Sequence, residues 1–437
     1  MLQGDEGTIN AVKGLLTYQA VDRYGNKEDR TLVTKKGAFK TGFLDLVLTK
    51  LEQWQVDHTI TDLRDNKFTI SKIVTELPPG SLRPNQVEVM HKLFSGDYRG
   101  CAELATNFGK NWIIAAITKT VEEFGRVVIC VHREELFKQL RDFLGGECKI
   151  DISLWGAIGS KTYREIGNVM IVNYHSVVSN KDSNLLNHFS SVSTLIVDEA
   201  HRSQASTYKE VLSLINAYAI FYLSGTLFTG NDRKDLEIIG DSGKLKAKVS
   251  NGDLIEAEVS QKPIVTVKKL VSTANLISYA DEVADLISSK ERLEYIRSVV
   301  INNPNKGILI AVFSKDHGNN LLLGLADLPT TVDFVHGEDP ERASKIESFK
   351  VGRTSVLITT EILKEGVNLP LIRHFINAAH GASVVWVKQF LGRATRHDGV
   401  NDECYIHDFI DYGPNTRAQS NKRLDIYSKE GFEIKIV

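Results

Sequence analysis

Cysteine is scarce in this chain: four residues in 437, Cys101, Cys130, Cys148 and Cys404, scattered without metal-binding spacing. That scarcity excludes a disulfide-dense scaffold and a structural zinc module, and buried, reduced thiols are expected. Long apolar runs are missing too. GILIAVF and VVICV are far too short to span a bilayer, and no basic-then-apolar signal opens the chain, so no membrane partner and a cytoplasmic location are expected. An excess of charge of one sign is also lacking. With 53 Lys and Arg against 55 Asp and Glu, the formal charge is −2, and any polyanion must be bound through local groups. Low-complexity tracts, collagen-like repeats and heptads are absent, which excludes repeat architectures and long disorder.

What is present is an ordinary globular composition over a length that exceeds one hydrophobic core, so two or three domains are expected. Residues 1–78 mix short alternating segments (LLTYQAVDRY, TLVTKK, HTITDL) with FLDLVLTKLEQW, in which Phe43, Leu44, Val47, Leu48 and Leu51 recur at helical spacing. A small α+β domain is the expectation there, closed by Pro78, Pro79 and Gly80. Next, apolar strand-like runs (CAELA, RVVICV, NVMIVNY, TLIVDEA, AIFYLSGT) alternate with helical patterns, the signature of a parallel sheet covered on both faces. The rhythm restarts near Lys306 with GILIAVF, TVDFVHG, SVLITT, HFINAA and ECYIHDFI. The fold class expected is α/β, two doubly wound lobes in tandem, with boundaries at 79–262 and 263–437. Residues 231–290 read as a hinge with accessory elements.

Chemistry concentrates at a few strand ends. ATNFGKNW follows a strand and opens a helix, where unpaired N–H groups attract phosphate. Gly109 and Lys110 fit a phosphate loop, G-x-x-x-x-G-K-[ST]. Leu104 replaces its first glycine, and Asn111 replaces the hydroxyl that binds Mg²⁺. On this stretch alone, a plain strand–helix turn with an incidental lysine fits equally. TLIVDEAH then delivers Asp198 and Glu199, adjacent carboxylates at the same sheet edge. Nucleotide hydrolysis needs one carboxylate to hold Mg²⁺ and another group to orient the attacking water. A solvated loop start is the alternative reading of that pair.

LRPNQ, ATNFGKN, DEAH, SGT and QFLGRATR occur in this order, and over residues 82–411 the series resembles that of the superfamily 2 helicases and translocases. The resemblance implies two RecA-like lobes with ATP between them. It makes Gln86 the reader of adenine and Thr106, Asn107, Phe108, Gly109, Lys110 and Asn111 the phosphate cradle. Asp198 would hold Mg²⁺ together with Asn111, and Glu199 would polarise water. His201, Ser224, Gly225, Thr226 and Gln389 would couple nucleotide state to strand contacts, while Arg393 and Arg396 would meet the γ-phosphate as arginine fingers. Two solvated arginines on a helix are the bland alternative. Arg133, Tyr174, His175, Ser314, His336, Gly337, Thr360 and Glu361 match motifs that line the nucleic-acid track, where contacts position a strand without reading its sequence.

Within the superfamily, LRPNQ resembles the entry motif of double-stranded DNA motors, and DEAH departs from the motif of the DEAD-box RNA helicases. The compact plan and the stretch FINAAHGASVVWVKQFLGRATRHDG followed by HDFID are similar to phage UvsW-type branch-migration helicases. That likeness implies ATP and Mg²⁺ as cofactors, branched or duplex DNA as partner, recombination and fork regression as task and a host-cell cytoplasm; a monomer is the default expectation. An RNA helicase, or a branched-DNA-binding module that has lost hydrolysis, are the alternatives. Lys35, Lys36 and Lys40 are candidate phosphate contacts or a solvated face. In GDSGKLKAKV, Lys244, Lys246 and Lys248 alternate as on one face of a strand, either a DNA wedge or a lysine-blunted edge. Asn107 and Phe108 depart from the usual glycine and small residue of the loop, and His132 stands where proline is frequent.

Overall fold

The structure is a computed structural model that describes residues 3–437 except 22–26, 65–66, 181, 229–231, 272–275, 305–306, 361–371, 380 and 382–403. It divides into two compact units, one of Met1–Leu104 with Gly109–Val249, the other of Ala105–Phe108 with Ser250–Val437.

The first unit opens with helix α1 (Glu6–Leu15), capped by Asp5, whose Oδ1 accepts from Thr8 N at 2.9 Å. An antiparallel hairpin of β1 (Thr17–Val21) and β2 (Lys27–Thr31) and helix α2 (Leu44–Gln53) follow. Val12, Leu16, Val33, Phe43, Val47 and Leu51 form one buried cluster, and Leu236 and Ile239 of the same unit pack against it. A Cβ on Gly42 would lie 2.1 Å from Ile239 O, so backbone meets backbone there and only glycine fits. HTITDL forms no strand, and Ile60 and Leu63 are exposed. Its alternation has no partner strand to satisfy the backbone.

The main sheet of this unit has eight strands: β3 (Arg99–Leu104), β4 (Arg126–Val131), β5 (Ser153–Ile158), β6 (Lys161–Arg164), β7 (Val169–Asn173), β8 (Val192–Asp198), β9 (Ala219–Ser224) and β10 (Leu245–Val249). Their order is β10-β3-β9-β8-β4-β7-β5-β6, parallel throughout except for the β5–β6 hairpin. The inner strands β4, β7, β8 and β9 are buried almost throughout, which is why they read as apolar runs. Helix α3 (Pro84–Leu93) precedes β3, and helix α4 (Lys110–Val121) follows it. In α4, Ile113, Ile114, Ile117 and Val121 are fully buried, each worth about 2 kcal/mol.

GDSGKLKAKV runs into a sheet edge and forms no hairpin. Leu245–Val249 is the parallel edge strand β10, and its lysines are engaged by their own unit: Lys244 with Asp45 at 2.9 Å and Lys248 with Glu103 at 3.3 Å. Lys246 lays its stem along Gly100 and donates to Leu93 O and Ser95 O. Lys40 likewise pairs with Asp241.

The second unit is a seven-stranded parallel sheet of β11 (Pro263–Lys269), β12 (Ile308–Ala311), β13 (Val332–Val335), β14 (Val356–Thr359), β15 (His374–Asn377), β16 (Cys404–Ile410) and β17 (Glu433–Ile436), in the order β13-β14-β12-β15-β16-β11-β17. Two apolar clusters cover its faces. Asp408 on β16 is fully buried against Arg423, which forks onto it with Nε and Nη2 each at 2.9 Å, while Tyr427 donates at 2.6 Å and Asn377 at 3.2 Å. A buried charge is tolerable only with such complete pairing. Both units are therefore α/β with parallel sheets, as the alternating pattern implied.

Candidate nucleotide site

β3, β9 and β8 are neighbours in the first sheet, so the segments that leave their carboxyl ends emerge side by side. These are the phosphate loop, SGT and DEAH, and Asp198 sits in register with Leu223, one residue before Ser224. After β3 the chain turns with Phe108 N donating to Ala105 O at 3.1 Å, and both Asn107 (φ 76°) and Gly109 (φ 89°) are left-handed. Gly109 caps α4, whose first N–H groups have no acceptor within the helix. A Cβ on Gly109 would lie 2.8 Å from Gln86 Nε2 and 3.4 Å from an Arg83 guanidinium nitrogen, so the start of α4 is packed against the start of α3. Gln86 is buried, and its Oε1 accepts from Arg83 N at 2.9 Å, which fixes the carboxamide beside the loop. Thr106 and Asn111 are half-buried, and Phe108 is buried.

Lys110 is ion-paired with Glu199 Oε1, the two side chains being 18% and 12% exposed. Glu199 is itself left-handed (φ 50°), which turns its carboxylate back over the sheet edge, and its N–H donates to Asp198 Oδ1 at 2.9 Å. On the far side, Glu199 Oε2 lies 3.2 Å from Ser224 Oγ and 3.3 Å from His201 Nδ1, while His201 Nδ1 and Ser224 Oγ are 3.0 Å apart. Ser224 Oγ also lies 3.2 Å from Thr226 O and accepts from Thr226 N at 3.3 Å. One hydroxyl thus joins DEAH to SGT, and Gly225 lies inside that link. Burial pushes the Asp198 carboxyl up to about 6, with Lys110 opposing. For Glu199, burial acts upward, but Lys110 and His201 outweigh it and hold the carboxyl far below the usual range.

Among the described residues no group of three or more His, Cys, Asp or Glu side chains could hold a metal on its own. Mg²⁺ is commonly held by one or two carboxylates, with phosphates and water completing its shell. Asp198, at the end of β8, is a carboxylate that could hold Mg²⁺, and the amide oxygen of Asn111, on the first turn of α4, is a candidate neutral ligand.

The residues that match track motifs fall at two sheet ends, each within its own unit. In the first unit, Arg133 follows β4 and His175 follows β7 on the surface. Tyr174 is different: at 1% exposed, its ring is 4.2 Å from that of Tyr208, so it packs the core and leaves His175 as the outward residue. In the second unit β13, β14 and β12 are neighbours, and their carboxyl ends bring Ser314, His336, Gly337 and Thr360 to one edge. Ser314 Oγ caps the helix Lys315–Gly324 by accepting from His317 N at 3.2 Å, and Phe313 beside it is 46% exposed. Glu361, Gln389, Arg393 and Arg396 lie outside the described residues, as does 365–367. Arg83, whose guanidinium lies beside Gly109, is a further candidate at this site. Its place in LRPNQ, three residues before Gln86 at a helix start, was the available signal.

Two family models match this chain: "Type III restriction enzyme, res subunit" over residues 80–229 and "Helicase conserved C-terminal domain" over residues 291–398, together more than half of its length. The chain belongs to superfamily 2 of the helicases. Among relatives of this superfamily 2 chain, IRC3 of Saccharomyces cerevisiae, provisionally named an ATP-dependent helicase, is 28% identical over 50% of this chain and 34% of its own. Helicase 22 of Sulfolobus islandicus filamentous virus, also provisionally named, is 23% identical over 76% and 64%. Further matches include a Lodderomyces elongisporus protein named an ATP-dependent RNA helicase, at 23% identity. The chain spans between a third and two thirds of the length of the first two. The fold is that of a fragment provisionally assigned to the HsdR subunit of a type I restriction enzyme from Vibrio vulnificus, with TM-score 0.63, 15% identity and coverage of 98% and 81%. A match to T4 UvsW covers 100% and 96% at TM-score 0.44 and 16% identity, too low to bear on branched DNA.

Proposed function

We propose that this superfamily 2 chain is an ATP-driven DNA motor that acts on duplex or branched DNA in recombination and repair. The observation that carries the reading is the ion pair of Lys110 with Glu199 beside Asp198, at the edge where Gly109 opens a helix N-terminus. These are the parts that nucleoside triphosphate hydrolysis requires: a cation for the β/γ-phosphates, a carboxylate for Mg²⁺ and a second carboxylate for water. Mg²⁺, when bound, neutralises phosphate charge and polarises the bond that breaks.

The chain's own residues do the rest. With the phosphates absent, Lys110 satisfies Glu199 and keeps its basicity low. A triphosphate draws Lys110 away, and Glu199, stripped of that cation in a buried setting, becomes a stronger acceptor for the proton of water. Ser224 and His201 touch the same carboxylate, so a change at Glu199 reaches SGT directly. Gln86 offers its carboxamide to adenine, and Arg393 and Arg396 supply charge to the transition state. Support for DNA comes from LRPNQ, which resembles the entry motif of double-stranded DNA motors.

The test is the rate of ATP hydrolysis measured alone and with duplex DNA, a four-way junction and RNA. Stimulation greatest with the junction or duplex upholds the proposal. Stimulation greatest with RNA replaces it with the RNA-helicase reading that the RNA-helicase relatives favour. Absence of hydrolysis under every condition leaves a passive binding module.

A further inference from the structure

The antiparallel hairpin at the outer edge of the first sheet has no part in the nucleotide site. Its outer strand, β6, reads KTYR, and Lys161, Thr162 and Arg164 are exposed. Trp155 of β5 is directly opposite Arg164. The Arg164 guanidinium lies 5.1 Å from the centre of the Trp155 ring, and Lys161 Nζ lies 4.7 Å from that of Tyr163. Side chains alternate along a strand, so Lys161 and Tyr163 share one flank while Arg164 and Trp155 share the other. The result is a ridge with a cation on each flank. Arg141, from the helix Glu134–Arg141, reaches the Tyr163 hydroxyl at 3.5 Å and adds charge to the Lys161 flank, although Asp142 pairs with it at 2.5 Å.

The partners of the two strand cations matter more than their number. An aromatic face holds a cation by its quadrupole and leaves the full charge in place, whereas a carboxylate cancels it. Among the described residues, neither Lys161 nor Arg164 is paired with a carboxylate. The ridge is also fixed in space: Gly159 at its tip donates its N–H to Glu134 Oε1, next to Arg133. It therefore continues the carboxyl edge on which Arg133 and His175 stand.

We infer that this ridge is a binding site for duplex nucleic acid, seated so that phosphates of both strands flank β6, one strand at Lys161 and the other at Arg164. A duplex suits it because a groove offers phosphates on two sides, whereas a single strand can follow only one flank. The inference rests on the nucleic-acid reading above and adds to it a contact surface and a preference for duplex.

The experiment is anisotropy of a labelled duplex and a labelled single strand, titrated with the full chain over a range of salt concentrations. The variants are the double variant Lys161→Ala with Arg164→Ala and a control, Lys161→Arg with Arg164→Lys. Losing two duplex phosphate contacts lowers the slope of log K against log salt by about 1.8, and losing one single-strand contact lowers it by about 0.7. The control keeps the wild-type slope, and hydrolysis without nucleic acid is the same in all three proteins. Wild-type binding with an unchanged slope in the alanine variant overturns the ridge alone, its lysine and arginine then serving only to blunt a sheet edge. Equal losses on duplex and single strand overturn the duplex preference. No salt-dependent binding by the wild type overturns both the ridge and the nucleic-acid reading.

Discussion

Replacing Glu199 with glutamine keeps the size of the side chain and removes its charge, and the surrounding contacts fix what should follow. In the structure the carboxylate is shared by Lys110, Ser224 and His201, with both Lys110 and Glu199 largely buried. A triphosphate must take Lys110 out of that pair, and a charge-assisted hydrogen bond in such a setting is worth about 1.5 to 3 kcal/mol. Glu199→Gln removes most of that competition, so ATP should bind about tenfold more tightly. With Glu199 accepting the proton of water as proposed, the same change costs about 10²- to 10⁴-fold in kcat. Equilibrium titration with a fluorescent ATP analogue and steady-state hydrolysis read the two effects separately. Tighter binding with lost turnover is the expected pair. An unchanged kcat, or weaker nucleotide binding, would refute the reasoning.

Other substitutions test the neighbouring parts. Gly109→Ala forces a left-handed alanine whose Cβ meets Gln86 Nε2 at 2.8 Å, so ATP affinity should fall in a fluorescence titration while the circular dichroism spectrum stays the same. Asn111→Thr restores the hydroxyl common in phosphate loops and should raise kcat and lower the Mg²⁺ concentration needed for half-maximal rate; if both stay put, Asn111 does not limit the enzyme. Acid should unfold the second unit early. Buried His407, 3.2 Å from His374 and 3.0 Å from the Tyr295 hydroxyl, is pushed down to about 3 by burial and by His374. Its contribution is complete above about pH 6.5 and is lost as the pH falls toward 3, so going from pH 7 to 5 should cost about 2 kcal/mol in urea denaturation. His407→Gln should flatten that slope.

The alternation of apolar runs with helical patterns already contained the two parallel sheets, because strands buried on both faces have little choice of residue. Elements with weaker patterns were harder to read. PIVTVKK, EIKI and the SLWGAI–KTYR hairpin are sheet-edge or near-edge strands of mixed polarity, and nothing local separates them from linkers. Lys246 shows the limit of periodicity: alternation placed its Cα on a strand but could not show that the stem would lie along Gly100 with the ammonium on backbone carbonyls. At the nucleotide site, motif order identified Lys110, Asp198, Glu199, His201 and Ser224, which the fold gathers at one edge. Tyr174 was legible as a motif member but not as a core residue, since its burial depends on Tyr208 from a helix far along the chain.

If ATP turnover drives movement on nucleic acid, strand displacement must depend on hydrolysis. A labelled branched DNA duplex should be separated by the wild-type chain in ATP with Mg²⁺, and left intact with a non-hydrolysable analogue or by Lys110→Ala. Separation that proceeds equally without hydrolysis, or in the Lys110→Ala variant, would contradict the account.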